Sequence, residues 1–288
     1  MSLMKNVQAT PSRVSAIYRL TLQMPHKRIE TNKLKQLLMP QALANTDRNE
    51  TDFIGLTIPE LIKLNLIEES DNCLQVPENL PKEILDNKQL ERALPHVLRE
   101  KALTSSNFES NSNADLAKII AWYLSQNPYN APGSWEAVEN ALMIQLKDKM
   151  DCTSDPRYGQ FEDWALYFGF VSRLPKMLFP DPTRVIRHYL PQLFHDKPTH
   201  NIDTIVKRLS KLCPVMEMGH YRESLRLKYG AENLKEGHLS QATSFAWMRL
   251  EEENIVRLEK KSDADIYLFS ENQYMHRYSE ITWLREEV

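Results

Sequence analysis

Glu259-Lys260-Lys261 has the Glu-x-Lys form with which some metal-dependent nucleases hold a divalent ion, and Asp181 in Pro180-Asp181 is the acid that would precede it. That chemistry needs both carboxylates on adjacent strands around one metal. Here Asp181 stands ahead of a predicted helix and Glu259 in a predicted hairpin, so solvated hairpin charges are the better reading. His188, His195 and His200 with Asp196 form the densest group of metal-ligating types. Their spacing matches no standard ligand pattern, and they span a helix end and a turn, which suits surface and capping roles. No Gly-rich loop runs into Lys and Ser or Thr, and neither a nucleophile elbow nor a zinc-protease helix occurs. Cys73, Cys152 and Cys213 are odd in number and far apart, which favours a reducing compartment over a disulfide framework or a four-cysteine zinc site. The expectation is no catalytic residue, no metal and no cofactor.

The charged residues suggest binding instead. Lys27, Arg28, Lys33 and Lys35 surround a first turn and second helix, and Lys207, Arg208 and Lys211 occupy a matching helix near the other end. These seven are the candidates for contact with the phosphates of double-stranded DNA. The formal net charge of −3 excludes binding by bulk charge, so such contact would be local, weak and indifferent to sequence. Glu251-Glu252-Glu253 closes a third helix with an acidic run that repels phosphate, which makes these three candidates for a protein partner.

Two segments must position these residues, and they repeat one another. Pro11-Ser12-Arg13-Val14-Ser15-Ala16-Ile17-Tyr18 returns as Pro182-Thr183-Arg184-Val185-Ile186-Arg187-His188-Tyr189, 171 residues further on. Each start reads as a capped helix, the Ser or Thr after the proline serving as the cap. Second helices follow over Leu34–Met39 and Ile205–Leu212, then third helices over Leu56–Leu64 and Leu239–Leu250. Hairpins are expected next, Asn65–Glu68 with Cys73–Val76, and Asn254–Arg257 with Ile266–Phe269. Helix, helix, helix, hairpin is the order of a winged helix. Between the copies, residues 104–113 read as a polar linker, and Ala114–Gln126, Ser134–Lys147 and Tyr158–Leu174 carry helical periodicity, each with a core tryptophan, Trp122, Trp135 or Trp164.

The predicted fold class is therefore mostly α with small β-hairpins: a winged-helix unit over residues 4–103, the linker 104–113, a helical middle 114–180 and a second winged helix over 181–288. Only 7 glycines among 288 residues agree with helices over many-stranded sheets. Met1-Ser2-Leu3 ahead of Met4 reads as an extension outside the fold. No apolar stretch approaches the ~18 residues a membrane span needs, and the cytoplasm is the expected location.

Phe161-Glu162-Asp163-Trp164-Ala165-Leu166-Tyr167-Phe168-Gly169-Phe170, followed by Phe179-Pro180-Asp181-Pro182-Thr183-Arg184, resembles the middle of DpdG-like proteins, which are encoded in bacterial gene clusters for DNA modification and phage defence. The plan is also similar to the small accessory subunit of Lamassu-type defence systems, LmuC or DdmA, and more distantly to tandem winged-helix subunits of chromosome-maintenance ATPases. The resemblance implies a non-enzymatic accessory protein that bridges an SMC-like ATPase, a nuclease and DNA. The alternative is a free-standing transcriptional regulator, which would be a homodimer spacing two recognition helices by ~34 Å.

Overall fold

A computed structural model describes residues 2–40, 52–104, 113–146, 155–175, 177–230, 234–262 and 264–284. The chain divides into two compact units, residues 1–105 and 106–288. Helices dominate both, joined by small antiparallel sheets, as the sequence leads one to expect. Cys152 and most of the segment 104–113 lie outside the described residues.

The first unit starts with α1 (Pro11–Gln23), whose proline takes the first helical position, where a missing N–H costs nothing. Its cap is Thr10, ahead of the proline, and not Ser12 as the sequence suggested: the Thr10 hydroxyl accepts from the Arg13 amide. Strand β1 (Arg28–Glu30), α2 (Thr31–Leu38), α3 (Phe53–Lys63), β2 (Glu68–Ser70) and β3 (Cys73–Gln75) follow. The sheet order is β1-β3-β2, with Ile29 opposite Leu74 and both buried. Strand β1 falls in the polar turn expected between the first two helices. One inward residue in three is too short a pattern to show periodicity. Helices α4 (Lys82–Leu85) and α5 (Leu90–Leu103) complete the unit, and the Tyr18 hydroxyl donates to the Ile84 carbonyl at 3.1 Å. Ser2 and Leu3 are buried, so the N-terminal residues belong to the fold and are no appendage.

The second unit begins with α6 (Ala114–Tyr123), α7 (Trp135–Leu146) and α8 (Asp155–Phe168). The helix expected to run to Leu174 ends early because Gly169 adopts φ +85°, a conformation open to glycine, and β4 (Val171–Leu174) then pairs with β5 (Met177–Pro180). Trp122 and Trp164 are fully buried, whereas Trp135 is only half-buried, its ring 6.0 Å from that of Tyr158.

The repeated pattern then returns as α9 (Thr183–Leu193), β6 (Thr199–Asn201), α10 (Ile202–Leu212), an added α11 (His220–Tyr229), α12 (Gln241–Glu252), β7 (Val256–Glu259), an added hairpin of β8 (Tyr267–Glu271) and β9 (Tyr274–Tyr278), and β10 (Glu280–Trp283). The sheet order β6-β10-β7 mirrors that of the first unit. The expected pairing of residues 254–257 with 266–269 does not form, because β7 pairs with β10. Both edges of β8 are already taken: one by β9, the other by the loop ahead of α12, where the Leu268 amide donates to the Gly237 carbonyl at 2.7 Å and the Leu239 amide to the Leu268 carbonyl at 3.0 Å. At the α9 start the N-cap is Pro182 itself, without a side-chain cap, and Asp181 ahead of it accepts from the Thr183 amide through Oδ1 at 3.1 Å.

Ile17, Leu34, Leu61 and Ile67 are buried in the core of the first unit, and Val185, Leu209 and Leu250 in that of the second. Ile255 is half-buried, because Val256 takes the inward position where β7 begins. No helix among the described residues is long and apolar enough to cross a membrane.

Candidate functional site

Helix α3 buries Ile54, Thr57, Ile58, Glu60 and Leu61 and turns Leu56, Pro59 and Lys63 outward. A helix that reads base edges presents Arg, Lys, Asn or Gln there, and here Lys63 is paired with Glu60 at 3.1 Å. Beside it, Glu68, Glu69 and Asp71 are all exposed at the β2–β3 hairpin. Of the four basic candidates in this unit, Lys35 is occupied: its ammonium lies 2.6 Å from Asp52, whose other oxygen caps α3 by accepting from the Gly55 amide at 2.8 Å. Arg28 on β1 and Lys33 on α2 are exposed, and Lys27 is half-buried in a left-handed turn at φ 51°.

In the second unit the matching helix α10 holds two of its three cations, Lys207 and Arg208, in internal pairs. Lys207 pairs with Asp203 at 2.7 Å one turn away. Arg208 forks onto both Asp196 oxygens at 2.8 and 3.1 Å and also donates to the Leu193 carbonyl at 2.6 Å. Lys211 is exposed. The Arg208 guanidinium holds the Asp196 carboxyl well below the usual carboxylate range, helped by His200 at 2.8 Å. Burial in turn pushes the His200 imidazole down. His195 faces the Gln192 carbonyl at 2.9 Å, and the His188 ring lies 5.0 Å from that of Tyr189. These histidines therefore serve the fold, and among the described residues no group of three or more His, Cys, Asp or Glu is arranged to hold a metal.

The Asp196 clasp has a testable pH signature. A lowered folded pKa stabilises the fold above the unfolded value, ~3.9, and that contribution is lost as pH falls through the folded value. Asp196→Asn should therefore lower the melting temperature at neutral pH, with the gap to the parent chain closing in strong acid. A gap that stays constant across the acid range would contradict this origin.

Helix α12 is enclosed. Ala242, Thr243, Ser244, Ala246, Trp247 and Leu250 are buried, and the β8–β9 hairpin lies against it: the Ser270 amide donates to the Ser244 hydroxyl at 3.0 Å and Gln241 Nε2 to the Asn272 carbonyl at 3.3 Å. Its accessible stripe is Gln241, Phe245, Met248 and Glu252, with Arg249 exposed beside it and paired with Asp181 and Glu253. The acidic run at its end divides by role. Glu251 accepts from the Leu258 amide at 2.8 Å, and Glu253 accepts from Arg249 at 3.2 Å and pairs with Arg187. The Glu252 carboxylate is exposed and makes no hydrogen bond or ion pair among the described residues.

The nuclease-like carboxylates are separated in the same way. Asp181 accepts from Ser172 at 2.7 Å, from Arg249 at 2.8 Å and from the Thr183 amide at 3.1 Å, so it is a structural joint. Glu259 sits opposite Glu280 across the sheet, and Lys261 pairs with Glu280.

A model of the DpdG-like family matches residues 1–264. The chain belongs to the DpdG-like family. DpdG-like proteins are associated with DNA modification and defence. The match spans both units and ends ahead of β8. No curated protein and no solved structure matches the chain.

Sequence reasoning missed the surroundings of the α12 stripe in this DpdG-like chain. Tyr129 lies in a 3-10 turn (Pro128–Asn130) far from α12 in sequence, and its ring meets Phe245 edge-on at 6.1 Å. It also missed the buried Glu217–Arg222 pair at 3.5 Å. The tight turn Pro214–Gly219 that presents Glu217 carried the one available signal: at Gly219 an added Cβ would lie 2.4 Å from the Pro214 carbonyl oxygen.

Proposed function

We propose that this DpdG-like protein is a non-catalytic bridging subunit of an anti-phage defence complex, with a winged-helix unit at each end. The units dock on an SMC-like ATPase and a nuclease, and a few basic side chains lend weak, sequence-independent contact with double-stranded DNA. The observation that carries this reading is the enclosure of α12. A recognition helix must insert a polar face into the major groove; here Phe245, Met248 and Glu252 occupy most of the accessible stripe, and the neighbouring Arg249 is held by Asp181 and Glu253. The parallel order helix, strand, helix, helix, strand, strand, with sheets β1-β3-β2 and β6-β10-β7, supports the winged-helix assignment. The outward face of α3, with Leu56 45% exposed, suits a protein partner better than base edges. Both features weigh against the transcriptional regulator.

For DNA, the occupied state of Lys35, Lys207 and Arg208 narrows the candidates to Lys27, Arg28, Lys33 and Lys211. Replacing Lys27, Arg28 and Lys33 by alanine should weaken binding by the assembled complex for all duplexes alike. Each lost phosphate contact should lower the slope of log affinity against log salt by ~0.9. Co-expression with the neighbouring genes tests the docking itself, and a stable complex with an SMC-like ATPase is the expected result. A chain that purifies alone and binds one DNA sequence far more tightly than others would overturn the proposal.

A further inference from the structure

We propose that the accessible stripe of α12, with the rings and carboxylates around it, is a docking surface for an arginine-bearing segment of a partner protein. The inference deepens the docking reading above and rests on it.

Gln241, Phe245, Met248 and Glu252 are spaced four, three and four residues apart, so they share one helix face. Three of them are half-buried and Glu252 is exposed. Around Phe245 two further rings stand edge-on: Tyr129 at 6.1 Å and 84°, and Phe179 of β5 at 6.2 Å and 90°. The β8–β9 hairpin adds Glu271, opposite Tyr274 in register, with His276 2.8 Å from the Glu271 carboxylate. Tyr129 is 41% exposed and Tyr274 71%, a large aromatic area to leave in water. Both Glu271 and Glu252 lie close enough to the Tyr129 phenol to add to burial in raising its pKa.

Aromatic faces beside carboxylates favour a cation, since the ring quadrupole and the acid attract the same charge. Phosphate is disfavoured by those same carboxylates. Among protein cations the guanidinium suits this surface better than the ammonium, because it stacks flat on a ring while forking onto a carboxylate. Of the acidic run that closes α12, Glu252 is the residue left for such a partner, since Glu251 and Glu253 already have intramolecular ones.

The test titrates the full chain into a labelled, end-blocked peptide of alternating glycine and arginine, with lysine and glutamate counterparts, and reads fluorescence anisotropy. The arginine peptide should bind most tightly, the lysine peptide more weakly and the glutamate peptide not at all, with affinity falling as salt rises. Glu252→Gln combined with Glu271→Gln should weaken arginine-peptide binding roughly tenfold. Tyr129→Ala should act in the same direction. The far-UV spectrum and melting temperature of Glu252→Gln should stay at parent values, since its carboxylate makes no hydrogen bond or ion pair among the described residues.

Arginine-peptide binding unchanged in the Gln variants would overturn the proposal. So would a DNA duplex that displaces the peptide, or a self-association of the chain that those variants abolish, which would make the occupant a second copy. Assembly with the ATPase is assayed separately. Peptide binding that behaves as expected while assembly fails upholds this surface and refutes the docking reading, and the reverse pattern does the opposite.

Discussion

Glu217→Ala is expected to destabilise the second unit by about 3–5 kcal/mol, the usual consequence of removing one member of a buried ion pair. Glu217 is 4% exposed and Arg222 3%. The Glu217 carboxylate faces Arg222 Nη1 at 3.5 Å and accepts from the Ser240 amide at 3.2 Å, the Thr243 hydroxyl at 2.6 Å and the Ser240 hydroxyl. Arg222 also donates to the Leu124 carbonyl at 3.3 Å, so the pair ties α11, the start of α12 and the end of α6 together. Truncating Glu217 leaves the Arg222 charge in the interior without the carboxylate that faces it, and removes an acceptor shared by the α12 cap. The paired replacement Glu217→Met with Arg222→Met should cost far less than the sum of the two single changes, because no charge then remains buried. Urea unfolding followed by far-UV circular dichroism gives the four stabilities of the cycle. Additive losses would refute the coupling.

Trp247→Ala should cost a similar amount, about 3–5 kcal/mol, by a different route. Trp247 is 1% exposed and belongs to the inner face of α12, the helix that packs on α9, β7 and β8. Removing the indole opens a cavity where three elements meet and where the backbone, fixed by the β7–β10 ladder, cannot collapse to fill it. Trp247→Phe retains part of the contact surface and should lose clearly less. Equal losses for the two variants, or a loss below about 1 kcal/mol for alanine, would mean the site relaxes freely. Because this helix also presents Phe245 and Glu252, a destabilised α12 should weaken peptide capture as well, whereas Glu252→Gln should weaken capture with stability unchanged.

The sequence by itself determined the elements that depend on neighbours along the chain. Apolar spacing marked the cores of α3, α10 and α12, and the two proline-led segments at Pro11 and Pro182 each open a helix that is followed by a three-stranded sheet of matching order. Local pattern failed where a residue's role depends on distant partners. The cap of α1 came from Thr10, ahead of a proline that takes the first helical position, whereas at α9 Pro182 is itself the N-cap and Asp181 accepts from the Thr183 amide. Strands β1 and β6 left no sign in the sequence because three residues carry almost no period.

Charge was the least legible of all. Seven basic side chains looked alike along the chain, yet three of them, Lys35, Lys207 and Arg208, proved to be held by carboxylates of their own unit. The acidic run divided in the same way: Glu251 and Glu253 are held by neighbours in the fold, whereas Glu252 is exposed. Whether a charge serves the fold or the surface depends on what the tertiary structure brings within about 4 Å of it, the range over which an opposite charge competes with water. Asp196 meets Arg208 across a helix and a turn, and Tyr129 meets Phe245 across more than a hundred residues, because packing of the two apolar faces sets those distances and no local spacing encodes them.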